Sequence, residues 1–168
     1  MVRGQGAGSA PRTIKMNVAR ESSAAAVESL ARRAVEQASR TGLSAEAFAV
    51  PGTSMPLNEL LHAAQRMPLL RKRHVVCLAL GVSDRTLRRW LNEPSARLNP
   101  AQGERLLRLF AVSARAEELF GSAIEAERWL TAPAIGLDRR IPLDLIKEPA
   151  DYEQLAAFLT RLEYGVYQ

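Results

Sequence analysis

Residues 74 to 92, His-Val-Val-Cys-Leu-Ala-Leu-Gly-Val-Ser-Asp-Arg-Thr-Leu-Arg-Arg-Trp-Leu-Asn, constrain the fold more than any other stretch. Two short helical patterns meet at Gly81, the residue type that tolerates a positive φ, and Ser83 stands where its hydroxyl caps the helix that follows. In that second helix Leu87, Trp90 and Leu91 fall at i, i+3 and i+4, a stripe that faces a core. Arg85, Thr86, Arg88 and Arg89 are left on the free side. A tight reversal, a locked apolar face and donors near the start of the second helix make a helix-turn-helix, whose second helix enters the DNA major groove.

The surrounding pattern is helical throughout. Pro68 opens the motif, whose first helix is expected from about Leu69 to Leu80, and Pro94 closes it, so the whole motif spans 69–92. Upstream, residues 1–21 mix Gly, Ala, Ser, Arg and Pro without periodicity and read as a disordered tail. A helix follows from Ser22 or Ser23 to Arg40, with Val27, Leu30, Ala34 and Ala38 on one face and Gly42 ending it. Residues 43–56, with Pro51, Gly52 and Pro56, read as loop, and Leu57 to Met67 as helix. Downstream, Asn99-Pro100 starts a largely buried helix through Leu106, Leu107, Leu109, Phe110 and Val112, which Gly121 ends. Ala123 to Leu130 is a further helix, 131–144 is irregular around Pro133, Gly136 and Pro142, and Tyr152 to Tyr164 is the last helix. Its apolar face is Leu155, Phe158, Leu159 and Leu162, and Gly165 is its cap. No segment alternates apolar and polar residues, so the fold class is all-α. The division expected is a tail over 1–21, a helical region over 22–98 and a C-terminal module over 99–168.

Charge divides the chain in the same way. The 168 residues carry a net charge of +5, yet residues 66–98 hold 8 Lys and Arg against 2 Asp and Glu, while residues 99–168 hold 8 against 11. A basic block beside an acidic one points to nucleic acid for the first and another partner for the second, although a solvated arginine face would look the same. The single cysteine, Cys77, excludes an internal disulfide and lies in an apolar run as a buried thiol. No apolar run approaches the roughly 20 residues of a membrane span, and the N-terminus lacks the apolar core of a signal peptide, so a cytoplasmic protein is expected.

Arginine suits the free face of a recognition helix because its fork bonds guanine O6 and N7 or clamps a phosphate. Arg85, Thr86 and Arg89 are the candidates for base edges, with Ser83 beside them, and Arg71, Lys72, Arg73 and Arg88 those for phosphates. His74 reads as a plain surface histidine. One recognition helix covers few base pairs, so operator binding implies a dimer with half-sites about one turn apart. Leu106, Leu109, Phe110 and Val112 are numerous enough to serve either as core or as a dimer seam. In the C-terminal module Arg161, Tyr164 and Tyr167 are hard to bury and belong to the types enriched at interface hot spots. Arg139 and Arg140, in a proline-flanked loop, either meet anionic groups of a partner or form a solvated turn. His62 and His74 have no Cys or carboxylate at metal-ligand spacing, no glycine loop cradles phosphate, and nothing pairs a nucleophile with a base. An enzyme, a metal and a cofactor are not expected.

Glu125-Ala126-Glu127-Arg128-Trp129-Leu130, Pro133, Leu137, Pro142-Leu143-Asp144-Leu145-Ile146 and Leu159-Thr160-Arg161-Leu162-Glu163-Tyr164-Gly165-Val166 form a second pattern. It resembles the toxin-binding domain of the Xre/MbcA/ParS antitoxins, in which an Xre-like helix-turn-helix comes first, as here. The resemblance covers about residues 60–168. It implies an antitoxin that occludes the active-site cleft of a RES-class toxin, one that consumes NAD or transfers ADP-ribose from it, and that represses its own operon as a homodimer or as a complex with the toxin. Two departures mark this chain: Asp138-Arg139 stands where the pattern has Gly-Gly, and Glu148 and Asp151 stand where it has threonine and then glycine. Read from the residues alone, a dimeric helix-turn-helix regulator without a toxin partner stays open, as does a toxin binder that has lost DNA contact.

Overall fold

The structure, a computed structural model, describes residues 11–40, 54–93 and 95–165. Seven helices occur among them: α1 (Pro11–Arg40), α2 (Leu57–Arg66), α3 (Arg73–Leu80), α4 (Asp84–Leu91), α5 (Pro100–Phe120), α6 (Ala123–Leu130) and α7 (Pro149–Glu163). The all-α class is thus observed. α1 starts at Pro11 and so reaches into the 1–21 segment for which a tail is expected. Proline is tolerated at the first helical position, and no glycine or further proline interrupts the chain from there to Arg40. Residues 1–10, Gly42 and the expected loop over 43–53 lie outside the described residues, as does the side chain of Ala38.

α5 is the axis of the molecule. α1 lies along it and also against α7, α6 folds back onto it, and α3 packs against its first half. Leu106, Leu109, Phe110, Ala111 and Val112 of α5 are fully buried, in one continuous apolar cluster that runs from Ala26 of α1 to Leu159 of α7. Each such leucine contributes about 1.5–3 kcal/mol relative to exposure. The same burial removes Leu106, Leu109, Phe110 and Val112 from any dimer seam. Asn99 accepts from the Gln102 backbone at 3.0 Å while the Gln102 side chain accepts from Asn99 N–H at 2.9 Å, a reciprocal cap that fixes where α5 starts.

Two local outcomes differ from expectation, and a third gives detail to a stretch read as irregular. The first helix of the motif is divided: a 3-10 turn covers Pro68–Arg71, Lys72 is extended (φ −83°, ψ 109°), and only then does α3 begin. The break lets Leu69 and Leu70 both enter the core and turns the Lys72 ammonium onto Glu127 of α6. A two-residue strand pair, Met55–Pro56 (β1) against Arg97–Leu98 (β2), ties the start of α2 to the chain leaving α4, with Leu57 N–H donating to Ala96 at 3.0 Å. Two residues are too few to show an alternating pattern. The irregular 131–144 stretch contains 3-10 turns over Ile135–Leu137 and Pro142–Ile146, the second packed against α3, α5 and α7.

Two arginines of α5 are buried. Arg108 donates to the backbone carbonyls of Ile146 (3.2 Å) and Lys147 (3.3 Å), pairs with Glu104, and lies over the Tyr152 ring at 5.4 Å. Burial pushes the Tyr152 phenol from its ordinary value near 10 up to about 12, against the opposing pull of Arg108. A fold that prefers the protonated phenol is stabilised in full below pH 10 and loses that contribution as pH rises from 10 through about 12. Chemical unfolding at about pH 9 and about pH 11.5 should therefore show wild type losing about 2 kcal/mol more than Tyr152→Phe. Equal losses in the two proteins would contradict this.

Candidate DNA-binding and partner-binding surfaces

The reversal between α3 and α4 forms as its residues dictate. Gly81 is left-handed (φ 66°, ψ 35°), its N–H donating to Leu78 at 3.2 Å, and Val82 N–H donates to Cys77 at 2.9 Å. The positive φ is what calls for glycine here; a Cβ at position 81 would also displace the flexible Arg105 guanidinium of α5. Ser83 Oγ accepts from the Thr86 backbone at 3.1 Å, and the Thr86 hydroxyl lies 3.0 Å from the same oxygen. Asp84 in the first turn complements the helix dipole. Leu87 is buried and Trp90 half-buried, whereas Leu91 is 38% exposed, so the stripe that seats α4 is narrower than expected. The half-buried Cys77 thiol is pushed up by burial and by Asp84, against the pull of Arg73, which disfavours the reactive thiolate.

The eight cations of the basic block divide sharply. Arg66 donates to the Arg40 carbonyl at 3.3 Å, Arg71 to the Ala64 carbonyl at 3.3 Å, and Arg97 to Ser54 Oγ at 3.0 Å. Lys72 is paired with Glu127, and Asp84 accepts Arg88 at 2.8 Å with Arg73 at 3.6 Å. Among the described residues, Arg85 and Arg89 of this block alone have no hydrogen-bond or ion-pair partner. Four residues apart on α4, both exposed, they share one face. Of the eight side chains read as DNA contacts, the structure thus leaves two unengaged on the recognition helix. It ties Ser83 and Thr86 to the cap and pairs Lys72, read as a phosphate contact, with Glu127 of the C-terminal half.

The other surface is built on an aromatic row. Phe120 of α5 packs on Trp129 of α6 (ring centroids 5.2 Å), and Trp129 stacks on Phe158 of α7 (6.3 Å, planes 5° apart). The loop from Ala134 to Arg140 lies across Phe158: a Cβ on Gly136 would collide with that ring. The loop closes on itself. Ala134 N–H donates to the Arg140 carbonyl (3.1 Å), and the Ala134 carbonyl accepts from Leu137 (3.1 Å) and Arg139 (3.0 Å) while Leu137 is buried beneath. At its tip Asp138 (φ 53°) and Arg139 (φ 60°) are the two non-glycine residues with positive φ among the described residues. Ile135 is 89% exposed.

Arg140, read as meeting a partner's anionic group or forming a solvated turn, is paired within the chain while staying partly exposed. Its fork grips Asp151 at 2.9 and 2.6 Å, joining the loop to the first turn of α7, and this hydrogen-bonded pairing raises the Arg140 guanidinium and lowers the Asp151 carboxyl from their ordinary values. Arg139 is exposed with no ion-pair partner among the described residues, Arg161 lies over Phe158 at 5.9 Å, and Tyr164 is 74% exposed. Arg139, Arg161 and Tyr164 therefore reach solvent on the last 27 described residues, while Tyr167 lies outside the described residues.

Sequence reasoning missed a clamp under this surface. Arg115, 5% exposed, pairs with Glu118 (2.6 Å) and with Glu163 at the end of α7, and Glu118 in turn accepts from Arg33 of α1 at 3.0 Å. Burial acts against each charge, yet the hydrogen bonds prevail: the Glu118 carboxyl is lowered and the Arg115 guanidinium raised. The available signal was Arg108 and Arg115, seven residues apart in the largely apolar stretch 106–116 of α5. Among the described residues no three His, Cys, Asp or Glu side chains come together to hold a metal, and no helix is long and apolar enough to cross a membrane.

Comparison with known families finds two successive matches. Residues 77–111 match the antitoxin Xre-like helix-turn-helix domain, and residues 115–165 match the antitoxin Xre/MbcA/ParS C-terminal toxin-binding domain. No curated protein matches the chain. The two matches meet within α5, so one helix carries the end of the first and the beginning of the second.

Proposed function

Since this chain joins an Xre-like helix-turn-helix to an Xre/MbcA/ParS toxin-binding domain and so belongs to that family of antitoxins, we propose that it neutralises a RES-class toxin and represses its own operon. The observation that carries the reading is the succession of the two matched domains on one core. In it, residues 69–92 contact the operator and residues 99–168 cover the NAD-consuming or ADP-ribosylating cleft of the toxin. The chain itself performs no reaction and acts in the cytoplasm, where both partners are found.

Arg85 and Arg89 supply base contacts, with Arg73 and Arg88 shared between Asp84 and phosphate. Arg139, Arg161 and Tyr164 supply toxin contacts. With Leu106, Leu109, Phe110 and Val112 buried, the two-fold operator complex is assembled through other surfaces or through the toxin.

The test is a titration of the purified chain against its own promoter fragment, together with the cellular NAD level on expressing the product of the adjacent reading frame. Promoter affinity should fall with salt at a log-log slope of about −0.9 per phosphate neutralised. NAD should collapse with the adjacent product alone and recover with the chain present. A salt-sensitive operator complex without any effect on NAD or growth would instead favour the regulator that has no toxin partner.

A further inference from the structure

We propose that Arg139 and Ile135, at the tip of the Ala134–Arg140 loop, determine which toxin the chain accepts. The inference rests on the antitoxin reading above and adds the residues that carry specificity.

Arg139 holds a conformation that its side chain disfavours. Aspartate visits the left-handed region several-fold more readily than most residues, so Asp138 is at ease there. Arginine has no such local compensation, and glycine would hold the same conformation without strain. A chain that keeps a guanidinium where glycine would relieve the backbone keeps it for what the side chain does. The tip cannot relax, because Ala134, Leu137, Arg139 and Arg140 are linked by backbone hydrogen bonds of 2.9–3.1 Å and Leu137 is anchored in the core.

Nothing within the described residues neutralises that cation. The neighbouring Arg140 is committed to Asp151, which fixes the loop on α7 and leaves Arg139 as its outward cation, with the exposed Asp138 next to it in sequence. Ile135 alone would carry no weight, since single exposed apolar residues are ordinary. Here the hydrogen bonds from Ala134 N–H to the Arg140 carbonyl and from Arg139 N–H to the Ala134 carbonyl hold the two ends of the loop together. An 89% exposed isoleucine and an unpaired guanidinium are thereby carried on one closed loop.

The partner such a pair fits is a toxin surface with an apolar recess for the isoleucine and a carboxylate beside it for the guanidinium. Because the tip is already ordered, little conformational entropy is lost on docking. A toxin without the carboxylate leaves Arg139 desolvated and unpaired, which is how the tip rejects wrong partners.

The experiment measures the affinity of the full chain for the product of the adjacent reading frame by calorimetry, with Tm and own-promoter affinity recorded for every variant. Arg139→Asn keeps a residue that tolerates positive φ but removes the cation, Ile135→Ser removes the apolar contact, and Asp138→Gly with Arg139→Gly relieves the backbone. Each variant should weaken toxin binding about tenfold or more with promoter affinity unchanged. The double glycine variant should also raise Tm by about 2 to 4 °C. Wild-type toxin affinity in the glycine or asparagine variants overturns the proposal, as does a Tm that fails to rise. A wild-type chain that binds no adjacent product overturns the antitoxin reading itself, and that result is visible before any variant is made.

Discussion

Alanine at both Arg85 and Arg89 should reduce affinity for the chain's own promoter by about 10² to 10⁴, with toxin binding unchanged. Each base-edge fork is worth about 1–3 kcal/mol of recognition, and these are the two cations of the basic block with no partner among the described residues. Their removal strands no internal carboxylate, so the fold should be unaffected. Alanine at Arg88 is the comparison: it frees Asp84, at a helix N-terminus that accommodates negative charge, and should weaken DNA binding far less. Binding isotherms at one fixed salt concentration decide the matter. An equal loss from Arg88→Ala and from the double variant would show a diffuse basic face rather than a recognition pair.

The largest effect on stability is expected from Glu118→Ala combined with Glu163→Ala, at about 3–5 kcal/mol. The two carboxylates are themselves half-exposed, but together they neutralise Arg115, whose side chain is only 6% exposed. Removing both leaves a buried guanidinium without compensation, against a total margin of about 5–15 kcal/mol for a domain of this kind. Arg115→Leu is the informative contrast, because it leaves both carboxylates free to meet water and should cost less than about 1.5 kcal/mol. Denaturant midpoints for the three proteins test the difference. Equal losses in the two variants would mean that Arg115 contributes through packing alone. The lowered Glu118 carboxyl adds a pH dependence: its contribution is present above the ordinary carboxylate range and is lost as pH falls through the depressed value.

The parts of this fold that were legible in the sequence are those set within a few residues. Gly81, Ser83, Asn99-Pro100 and Gly121 mark helix ends whose capping atoms lie three or four positions away, and all four act as read. The period of Leu106, Leu109 and Phe110 likewise gave the buried face of α5. What escaped depends on neighbours distant in sequence. Lys72 reads as a phosphate contact until Glu127 comes to it, and Arg140 as a free cation until Asp151, eleven residues on, accepts its fork. Arg108 and Arg115 have no assigned place in the sequence reading, and only the packing of α1, α7 and the Pro142–Ile146 turn on α5 encloses them. Asp138-Arg139 was noticed as a departure, but its meaning needed the backbone angles.

The central claim is that one core carries two separable surfaces, one for DNA on α4 and one for a toxin on the loop and end of α7. Growth of cells co-expressing the adjacent reading frame with variants of this chain, all from an unrelated promoter, tests it most directly. Wild type and the Arg85→Ala, Arg89→Ala variant should both restore growth, while the Ile135→Ser, Arg139→Asn variant should not. Rescue by the second variant, or failure of rescue by wild type, would contradict the account.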